Sequence, residues 1–417
     1  MPSSDPQHSI VAWDGPNPFE KEFGVPNALH AELRRLAPLA KVSTGQIFCT
    51  RYDDVAYALG SWSQFPGSLL EEGTTITEEE LAVIQMDEPR HSIIRRLFYA
   101  GVTKSRIAPY EEPIRRSCEQ AMDWIIAQDR PVDFVEHYIR WTPITTIARI
   151  IGVPEADWDR LDRWVDEISN SEWLTHNRGP DGHGIVAGFR EFSAYMSDLL
   201  DKASASASRE SGSSEDSFLT TLVTARPEGR PLTKIEMLTI IAFMLEAGSD
   251  TTRHLLAHIV MHLAEHPEML DYLQRHTERT SAFVEEMLRL YPPSTAIYRT
   301  AADGAKLGQC PIPEGSRTVL SLSAANRDPA VFTHPEHADL DRANLQAHLA
   351  FGYGRHLCPG APLARLEARI ATEVLVDRVQ AIRLAPEWRF EMVPVIWANG
   401  PRTLLAQAIA RESQASG

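Results

Sequence analysis

Cys358 lies in the segment HLAFGYGRHLCPG, residues 348–360, and its surroundings indicate chemistry. The glycines of this segment permit a tight turn and let the backbone pass close to the sulfur. Apolar side chains recur at helical spacing after residue 361, so we expect the turn to deliver the cysteine to the start of a helix. A thiolate in that position is stabilised by the helix dipole and acts as a nucleophile or a metal ligand. A buried, inert cysteine is the alternative, and it is the commonest state of a lone Cys.

The wider segment resembles FGxGxHxCxG, the haem-binding loop of the haem-thiolate monooxygenases, the cytochrome P450 family. A single motif is a hypothesis until its context agrees, so a true member of the family should carry the family's other motifs elsewhere in the chain. The resemblance implies a haem b cofactor whose iron is bound by Cys358, with His356 reaching a haem propionate. Every defined position of the loop pattern is filled: Phe351, Gly352, Gly354, His356, Cys358 and Gly360.

The segment AGSDTT, residues 247–252, resembles the family's oxygen-binding segment. The resemblance makes Ala247 and Gly248 a groove for O2, and it makes Asp250 and Thr251 the acid and alcohol that relay protons. Both of those polar residues are costly to bury without a role. Close packing of two helices is the alternative explanation of the glycine, since glycine inside a helix costs about 1 kcal/mol relative to alanine.

Two charged pairs at helical spacing also match the family's order. Glu286 and Arg289 lie three residues apart and therefore on one helix face. Such a pair is most often an ordinary surface salt bridge. In the family it joins a downstream arginine in a buried structural network, which here would be Arg327 or Arg342.

A second pair, His91 and Arg95, is four residues apart and resembles the family's HxxxR helix. An exposed basic turn is the alternative. With the other motifs present, the resemblance implies that this pair, together with Arg299 and His356, surrounds the haem propionates. The resemblance covers most of the chain, from about residue 86 to residue 402.

The resemblance implies a monooxygenase that inserts one oxygen atom of O2 into an organic substrate, by hydroxylation or epoxidation. We expect electrons from NAD(P)H to arrive through a separate ferredoxin and ferredoxin reductase. Several arginines and lysines flank the motifs and could steer an acidic redox partner, although charge runs are more often solvated surface. They are Arg95, Arg96, Lys104, Arg106, Arg115, Arg116, Arg355, Arg365 and Arg369.

The substrate is predicted only as a mid-sized, largely apolar molecule, because the segment after Pro293 is small and uncharged. Glu246 is unusual in an otherwise apolar helix. It either binds a substrate amine or hydroxyl, or it pairs with an arginine or histidine of a neighbouring helix. The expected pocket residues are Phe243, Glu246, Thr295, Ala296 and Ile297.

Two other functions remain open for a haem-thiolate protein. A peroxide-driven peroxygenase would be expected to lose the acid–alcohol pair, which is present at Asp250 and Thr251. A non-catalytic haem sensor needs only Cys358. The monooxygenase is therefore the favoured interpretation.

Helical periodicity dominates the chain around these motifs, with strand-like segments near residues 41–50 and 312–323 and a helix-like segment following the first of them to about residue 59. A helix of over thirty residues is predicted over 232–268, and residues 175–184 are predicted as a loop. We predict a mainly α protein with small β-sheets, the cytochrome P450 fold. The family's fold is a helix-rich triangular prism with haem between the long central helix and the helix after the cysteine. The whole chain, residues 1–417, is predicted to be a single domain, with an N-terminal extension over about 1–20 and a mobile surface loop at 203–217.

Composition limits the possible partners. A net charge of −16 over 417 residues argues against general affinity for nucleic acid or anionic membranes. The four cysteines lie far apart, which indicates neither a disulfide framework nor a zinc site. The first residues lack the features of a signal peptide, and no apolar run is long enough to span a bilayer. We therefore expect a cytoplasmic, unanchored monomer.

Overall fold

The computed structural model describes residues 9–20, 24–67, 70–71, 73–209, 217–395 and 397–411. The helices are α1 Asn27–Leu36, α2 Tyr52–Gly60, α3 Arg90–Val102, α4 Lys104–Ile107, α5 Glu111–Ala127, α6 Trp141–Ile151, α7 Trp158–Ser169, α8 Trp173–His176, α9 Gly184–Gly188, α10 Arg190–Arg209, α11 Phe218–Thr224, α12 Lys234–Glu265, α13 Pro267–Arg275, α14 Thr280–Leu290, α15 Leu322–Ala325 and α16 Ala361–Arg378. Helix is thus the main structure, as predicted.

The strands are short. They are β1 Val11–Ala12, β2 Leu39–Lys41, β3 Ile47–Cys49, β4 Val132–Asp133, β5 Arg178–Gly179, β6 Gly182–His183, β7 Ala296–Thr300, β8 Lys306–Leu307, β9 Cys310–Pro311, β10 Arg317–Ser321, β11 Val379–Leu384 and β12 Leu405–Ala410. Short 3-10 helices cover Glu78–Glu80, Val83–Gln85, Ala108–Tyr110, Glu155–Asp157, Pro227–Gly229, Thr277–Arg279, Leu345–Ala347 and Gly354–His356, and a π-helical turn covers Val135–Ile139.

The chain divides into two compact units. The first comprises Met1–Pro66, Glu111–Thr142 and Thr251–Gly417, and the second comprises Gly67–Tyr110 and Pro143–Asp250. Helix α12 contributes residues 234–250 to the second unit and residues 251–265 to the first. The prediction of a single domain stays a prediction.

Two sheets and four helices organise the first unit around the cysteine segment. The larger sheet has the order β1-β2-β3-β10-β7, with β10 parallel to β3 and antiparallel to β7. The smaller sheet has the order β11-β12-β4. Helix α16 packs against α5, α13 and α14. Buried apolar side chains such as Phe65, Leu320 and Leu349 form a core beside the larger sheet, because alternate residues of its strands face inward.

Helices pack against helices in the second unit. Helix α11 packs against α10 and α3, and the rings of Phe98 and Phe218 lie 6.0 Å apart. Strands β5 and β6 form a short antiparallel hairpin within residues 175–184. Backbone hydrogen bonds tie this hairpin region to the preceding segment: the amide of Glu71 donates to the carbonyl of Thr175 at 2.8 Å.

The long helix predicted over 232–268 is confirmed as α12, which covers Lys234–Glu265. A capping box starts α12, since the Thr233 amide donates to the Glu236 carboxylate at 2.7 Å and the Glu236 amide donates to the Thr233 hydroxyl at 3.2 Å. The helix ends at residue 265, because Pro267 begins α13 and the residue before a proline is disfavoured in the helical region. No helix within the described part of the chain is long and apolar enough to cross a membrane.

Two local predictions need correction. The mobile loop predicted at 203–217 is helical through residue 209, because alternating Ala and Ser suits a helix: alanine has the highest helix propensity, and the Ser208 hydroxyl donates to the Ser204 carbonyl at 2.9 Å. Residues 210–216 lie outside the described part. The N-terminal extension is also structured in part, since Val11 and Ala12 pair in parallel with β2.

Candidate haem-thiolate site

The cysteine segment has the tight turn that its glycines predict. Gly352 and Gly354 have φ angles of 72° and 71°, in the left-handed region that favours glycine. A Cβ atom on Gly354 would lie 2.9 Å from the Cα of Gly60, at the end of α2. Glycine is therefore required at 354 both by the backbone angle and by the close approach of α2.

Cys358 lies just before α16 and is partly exposed. Its amide donates to the carbonyl of Phe351 at 2.9 Å, which closes the turn. Gly360 is the N-cap of α16, and a Cβ atom there would lie 3.7 Å from the Cys358 sulfur. The sulfur thus lies close to the positive end of an 18-residue helix, where a thiolate is stabilised.

Arg299 supplies a buried positive charge in the same unit. It lies on β7, its side chain is 2% exposed, and its Nη1 donates to the Tyr298 carbonyl at 2.9 Å. Ile297, on the same strand, lies beside the cysteine segment: its Cδ1 is 3.5 Å from the position of a Cβ on Gly352. His356 is half-buried in the 3-10 turn before the cysteine. A thiolate donor for iron and a buried guanidinium for a carboxylate are the chemistry that a haem with propionates requires.

The second unit holds His91 and Arg95 one turn apart on α3. His91 is 1% exposed, and its Nδ1 lies 3.5 Å from the Glu88 carboxylate. Burial lowers the pKa of His91, although Glu88 opposes that shift. Arg95 donates to the Tyr99 hydroxyl at 3.1 Å. Their contact with propionates remains a prediction.

Helix α12 carries the predicted acid and alcohol. Asp250 is 5% exposed, and Thr251 follows it half-buried. A Cβ on Gly248 would lie 2.5 Å from the Cδ1 of Ile147 in α6, so close helix packing alone accounts for a glycine at this position. The oxygen groove at Ala247 and Gly248 stays a prediction.

Glu286 and Arg289 form a fully buried pair, not a surface salt bridge. Arg289 donates to both carboxylate oxygens of Glu286, from Nε at 2.6 Å and from Nη2 at 3.0 Å. The Nε of Arg342 donates to the same carboxylate at 3.1 Å. Arg342 is therefore the arginine of the network. Arg327 instead pairs with Glu336 and donates to the Leu290 carbonyl at 2.9 Å.

This network joins α14 to the segment 326–342. Arg289 also donates to the carbonyls of Asn326 at 3.1 Å and His337 at 3.0 Å, and the amide of Asp339 donates to Glu286 at 2.8 Å. Burial alone would raise the pKa of Glu286, but these hydrogen bonds and the nearby arginine charges outweigh it and lower that pKa. The buried network is present, and the structural role of the pair stays a prediction.

Comparison with known proteins decides the family. The family model described as Cytochrome P450 matches residues 21–381. The chain belongs to the cytochrome P450 family.

Its relatives and structural neighbours are cytochromes P450 over nearly their whole length. Mycinamicin IV hydroxylase/epoxidase of Micromonospora griseorubida is 31% identical, over 93% of this chain and 97% of that protein. Cytochrome P450 monooxygenase PikC of Streptomyces venezuelae is 30% identical, over 90% of this chain and 88% of that protein. The solved structure of CYP109Q5 from Chondromyces apiculatus is 28% identical, with a TM-score of 0.81 over 96% of this chain and 99% of that one. The chain therefore has the cytochrome P450 fold and is an oxidoreductase with a haem-thiolate cofactor.

The predicted substrate residues of this cytochrome P450 lie in different settings. Phe243 is half-buried, with its ring 6.2 Å from that of Phe98, and Ala296 and Ile297 are half-buried on β7. The hydroxyl of Thr295 donates to the Trp397 carbonyl at 3.2 Å, and this bond engages its only proton. Thr295 is thus suited to shape a pocket rather than to donate to a substrate.

At least four of the nine predicted basic residues have carboxylate partners among the described residues: Arg115, Arg116, Arg365 and Arg369. Arg115 and Arg369 both donate to Glu373, at 2.6 and 2.8 Å, and Arg365 donates to Glu285 at 2.6 Å. These carboxylates reduce the net positive charge that a redox partner would meet. Sequence reasoning missed Glu285, although the adjacent acids of EEMLR mark a second carboxylate next to the expected one.

Proposed function

We propose that this cytochrome P450 is a monooxygenase that hydroxylates or epoxidises a mid-sized, largely apolar organic molecule with O2. The observation that carries the proposal is the buried Asp250 beside Thr251 on α12, in a chain whose cysteine segment has the geometry of a haem ligand. Bound haem b with a thiolate ligand supplies the oxygen-activating redox chemistry.

The chain's own residues then bind, orient and move protons. With haem bound, Cys358 would hold the iron through its thiolate. Arg299 and His356 would bind the propionates, and the same role is proposed for His91 and Arg95. The carboxylate of Asp250 passes protons to the hydroxyl of Thr251, and Ala247 with Gly248 leaves room for O2.

Electrons come from NAD(P)H through a ferredoxin reductase and a ferredoxin. A cytoplasmic, monomeric protein is consistent with this source of electrons. Because Arg115, Arg365 and Arg369 are paired with carboxylates, steering by charge is weak. The rate of haem reduction by ferredoxin should fall less than tenfold between low and physiological salt; a steeper fall would show that charge steers the complex.

Glu246 supports a substrate with an amine or a hydroxyl. The side chain is 3% exposed, and among the described residues it has no hydrogen bond or ion pair, so the alternative of an arginine or histidine partner finds no support. Burial and the nearby Asp250 raise the pKa of Glu246 to about 8. A buried carboxyl without a protein partner gains most from a ligand that donates or carries positive charge.

Three probes of equal chain length test this role: a tertiary fatty amine, a fatty alcohol and an alkane, measured by equilibrium dialysis. Glu246→Gln should weaken amine binding by about tenfold, alcohol binding less, and alkane binding not at all. Glu265→Gln, at the exposed end of the same helix, is the control. Equal affinities of wild type and Glu246→Gln for all three probes would exclude the role.

Turnover separates the monooxygenase from a peroxygenase or a sensor. With a ferredoxin system and NADH, the wild-type protein should oxidise a ligand found by haem spin-state screening. Asp250→Asn should reduce this turnover by about a hundredfold, while peroxide-driven turnover, which needs no delivered protons, should fall much less. Ser249→Ala, a neighbouring buried hydroxyl, is the control. Peroxide turnover alone, or no turnover with either oxidant, would favour the other two functions.

A further inference from the structure

A second buried carboxylate, Glu285, holds two residues that flank the cysteine segment. It lies on α14 next to Glu286 and is 8% exposed. Arg365 of α16 donates to both of its oxygens, from Nε at 2.6 Å and from Nη2 at 2.9 Å. The Nε2 of His348 lies 3.1 Å from the same carboxylate. One carboxylate thus joins α14, the start of the cysteine segment and the first turns of α16.

The hydrogen bonds of His348 define its proton position. The amide of Ala350 donates to Nδ1 at 3.3 Å, so the ring proton is on Nε2 and is donated to Glu285. Burial raises the pKa of Glu285, but the bonds from Arg365 and His348 outweigh it and lower the pKa to about 2. The carboxylate is therefore ionised at neutral pH and accepts from both partners.

Both partners of Glu285 lie against Phe351. The guanidinium of Arg365 is 4.6 Å from the centre of the Phe351 ring, and the ring of His348 is 6.0 Å from it. The carbonyl of Phe351 in turn accepts the hydrogen bond from the Cys358 amide at 2.9 Å. The contacts run from Glu285 through Phe351 to the backbone of the cysteine.

We propose that Glu285 is a positioning residue for the cysteine ligand: it clamps Phe351 between Arg365 and His348, and so keeps the Phe351 carbonyl on the Cys358 amide. Without the clamp the loop loosens, and water or other backbone amides reach the sulfur. This proposal rests on the assignment of Cys358 as the haem ligand. Glu286 has a different task, because its partners outside α14, Asp339 and Arg342, lie in the segment 326–342. Donors to a ligating sulfur withdraw charge from it and raise the reduction potential.

The test replaces Glu285 by Gln, which cannot accept from Arg365 and His348 with the strength of a carboxylate. We expect the haem reduction potential to rise, and the thiolate-ligated carbon monoxide complex of the reduced protein to convert to the thiol form several-fold faster than in wild type. Phe351→Ala should reproduce both effects, and the double variant should add little to either single one.

Glu373→Gln is the matched control. Glu373 lies on α16 and pairs with two arginines, Arg115 at 2.6 Å and Arg369 at 2.8 Å, whereas Glu285 pairs with one arginine and one histidine. Neither arginine of Glu373 is among the residues that contact the Phe351 ring. If Glu285→Gln and Glu373→Gln change the reduction potential and the conversion rate equally, Glu285 only stabilises the fold, and the proposal is wrong. Additive effects in the double variant of Glu285→Gln and Phe351→Ala would also overturn it.

Two further readouts keep the result interpretable. Far-ultraviolet circular dichroism and haem content show whether Glu285→Gln folds; if it does not, Phe351→Ala and Arg365→Lys carry the same comparison against Glu373→Gln. A wild-type protein without thiolate ligation would instead refute the proposed function. That outcome is distinguishable, because it precedes any comparison of variants.

Discussion

At the scale of single residues, buried acids of this cytochrome P450 differ in charge because their partners differ. Glu285 and Glu286 accept hydrogen bonds from arginines, which lower their pKa values despite burial. Burial and the charge of Asp250 raise the pKa of Glu246 to about 8. A carboxyl is retained in an apolar helix at a cost in stability, which is expected where it serves binding.

The cost at Glu246 predicts a pH dependence. Its folded pKa exceeds the unfolded value, so the folded protein retains a proton that the unfolded chain releases, and stability falls as pH rises from about 4.5 to about 8. Glu246→Gln should therefore gain stability over wild type at high pH, by at most about 5 kcal/mol, and little at pH below 4.5. Melting temperatures across this range measure it. A constant difference at every pH would contradict the assigned pKa.

At the scale of elements, turns and helix ends present the functional side chains. The cysteine segment depends on contact with α2, and α16 depends on a start at Gly360. The segment 326–342 depends on α14 through one carboxylate. The contacts of Gly354 with Gly60 and of Glu286 with Arg342 join residues that are distant in sequence, so single substitutions there should disturb the site without contacting Cys358.

Gly354→Ala should destabilise the turn for two independent reasons. The φ angle of 71° costs about 1–2 kcal/mol for a residue with a Cβ, and the clash with Gly60 adds to it. Gly304→Ala is the control, since its φ angle is 73° and nothing lies within 4 Å of the added atom. Chemical unfolding should show a larger loss at 354, together with lower haem retention. Equal losses would contradict the packing of α2 on this turn.

Arg342→Gln should leave Glu286 with one cation fewer in a buried network. We expect a loss of about 3–5 kcal/mol in the free energy of unfolding. Glu336→Gln removes the ion pair between Glu336 and Arg327, the other candidate for the network. It should lower the free energy of unfolding by less than about 1 kcal/mol, since Glu336 is 54% exposed. A larger loss of stability for Glu336→Gln than for Arg342→Gln would indicate that Arg327, and not Arg342, is the arginine of the Glu286 network.

At the scale of the whole molecule, the sequence predicted the elements better than their partners. Strands β3 and β10 lie in the segments whose pattern indicated strands, and α12 appears as the long helix. The choice between Arg327 and Arg342 was open, because both lie in nearby segments and only the folded chain orients one toward Glu286. The Glu285 clamp joins residues 285, 348 and 365, a separation that no local pattern records.

Amino-acid composition gave a wrong prediction where a loop and a helix can have the same composition. Residues 203–209 are small and polar, which is typical of loops, yet alanine at alternate positions supports the end of α10. The basic residues around the motifs suggested a charged surface, but their carboxylate partners come from α5, α14 and α16. Pairing of charges depends on packing and is invisible to counts of charge.

The carbon monoxide difference spectrum of the reduced protein tests the central claim most directly. The wild-type protein should give the red-shifted Soret band of a thiolate-ligated haem. Cys358→Ser should bind haem weakly and give the shorter-wavelength band of a neutral ligand. A wild-type spectrum without the red-shifted band, or a Cys358→Ser spectrum identical to wild type, would contradict that claim.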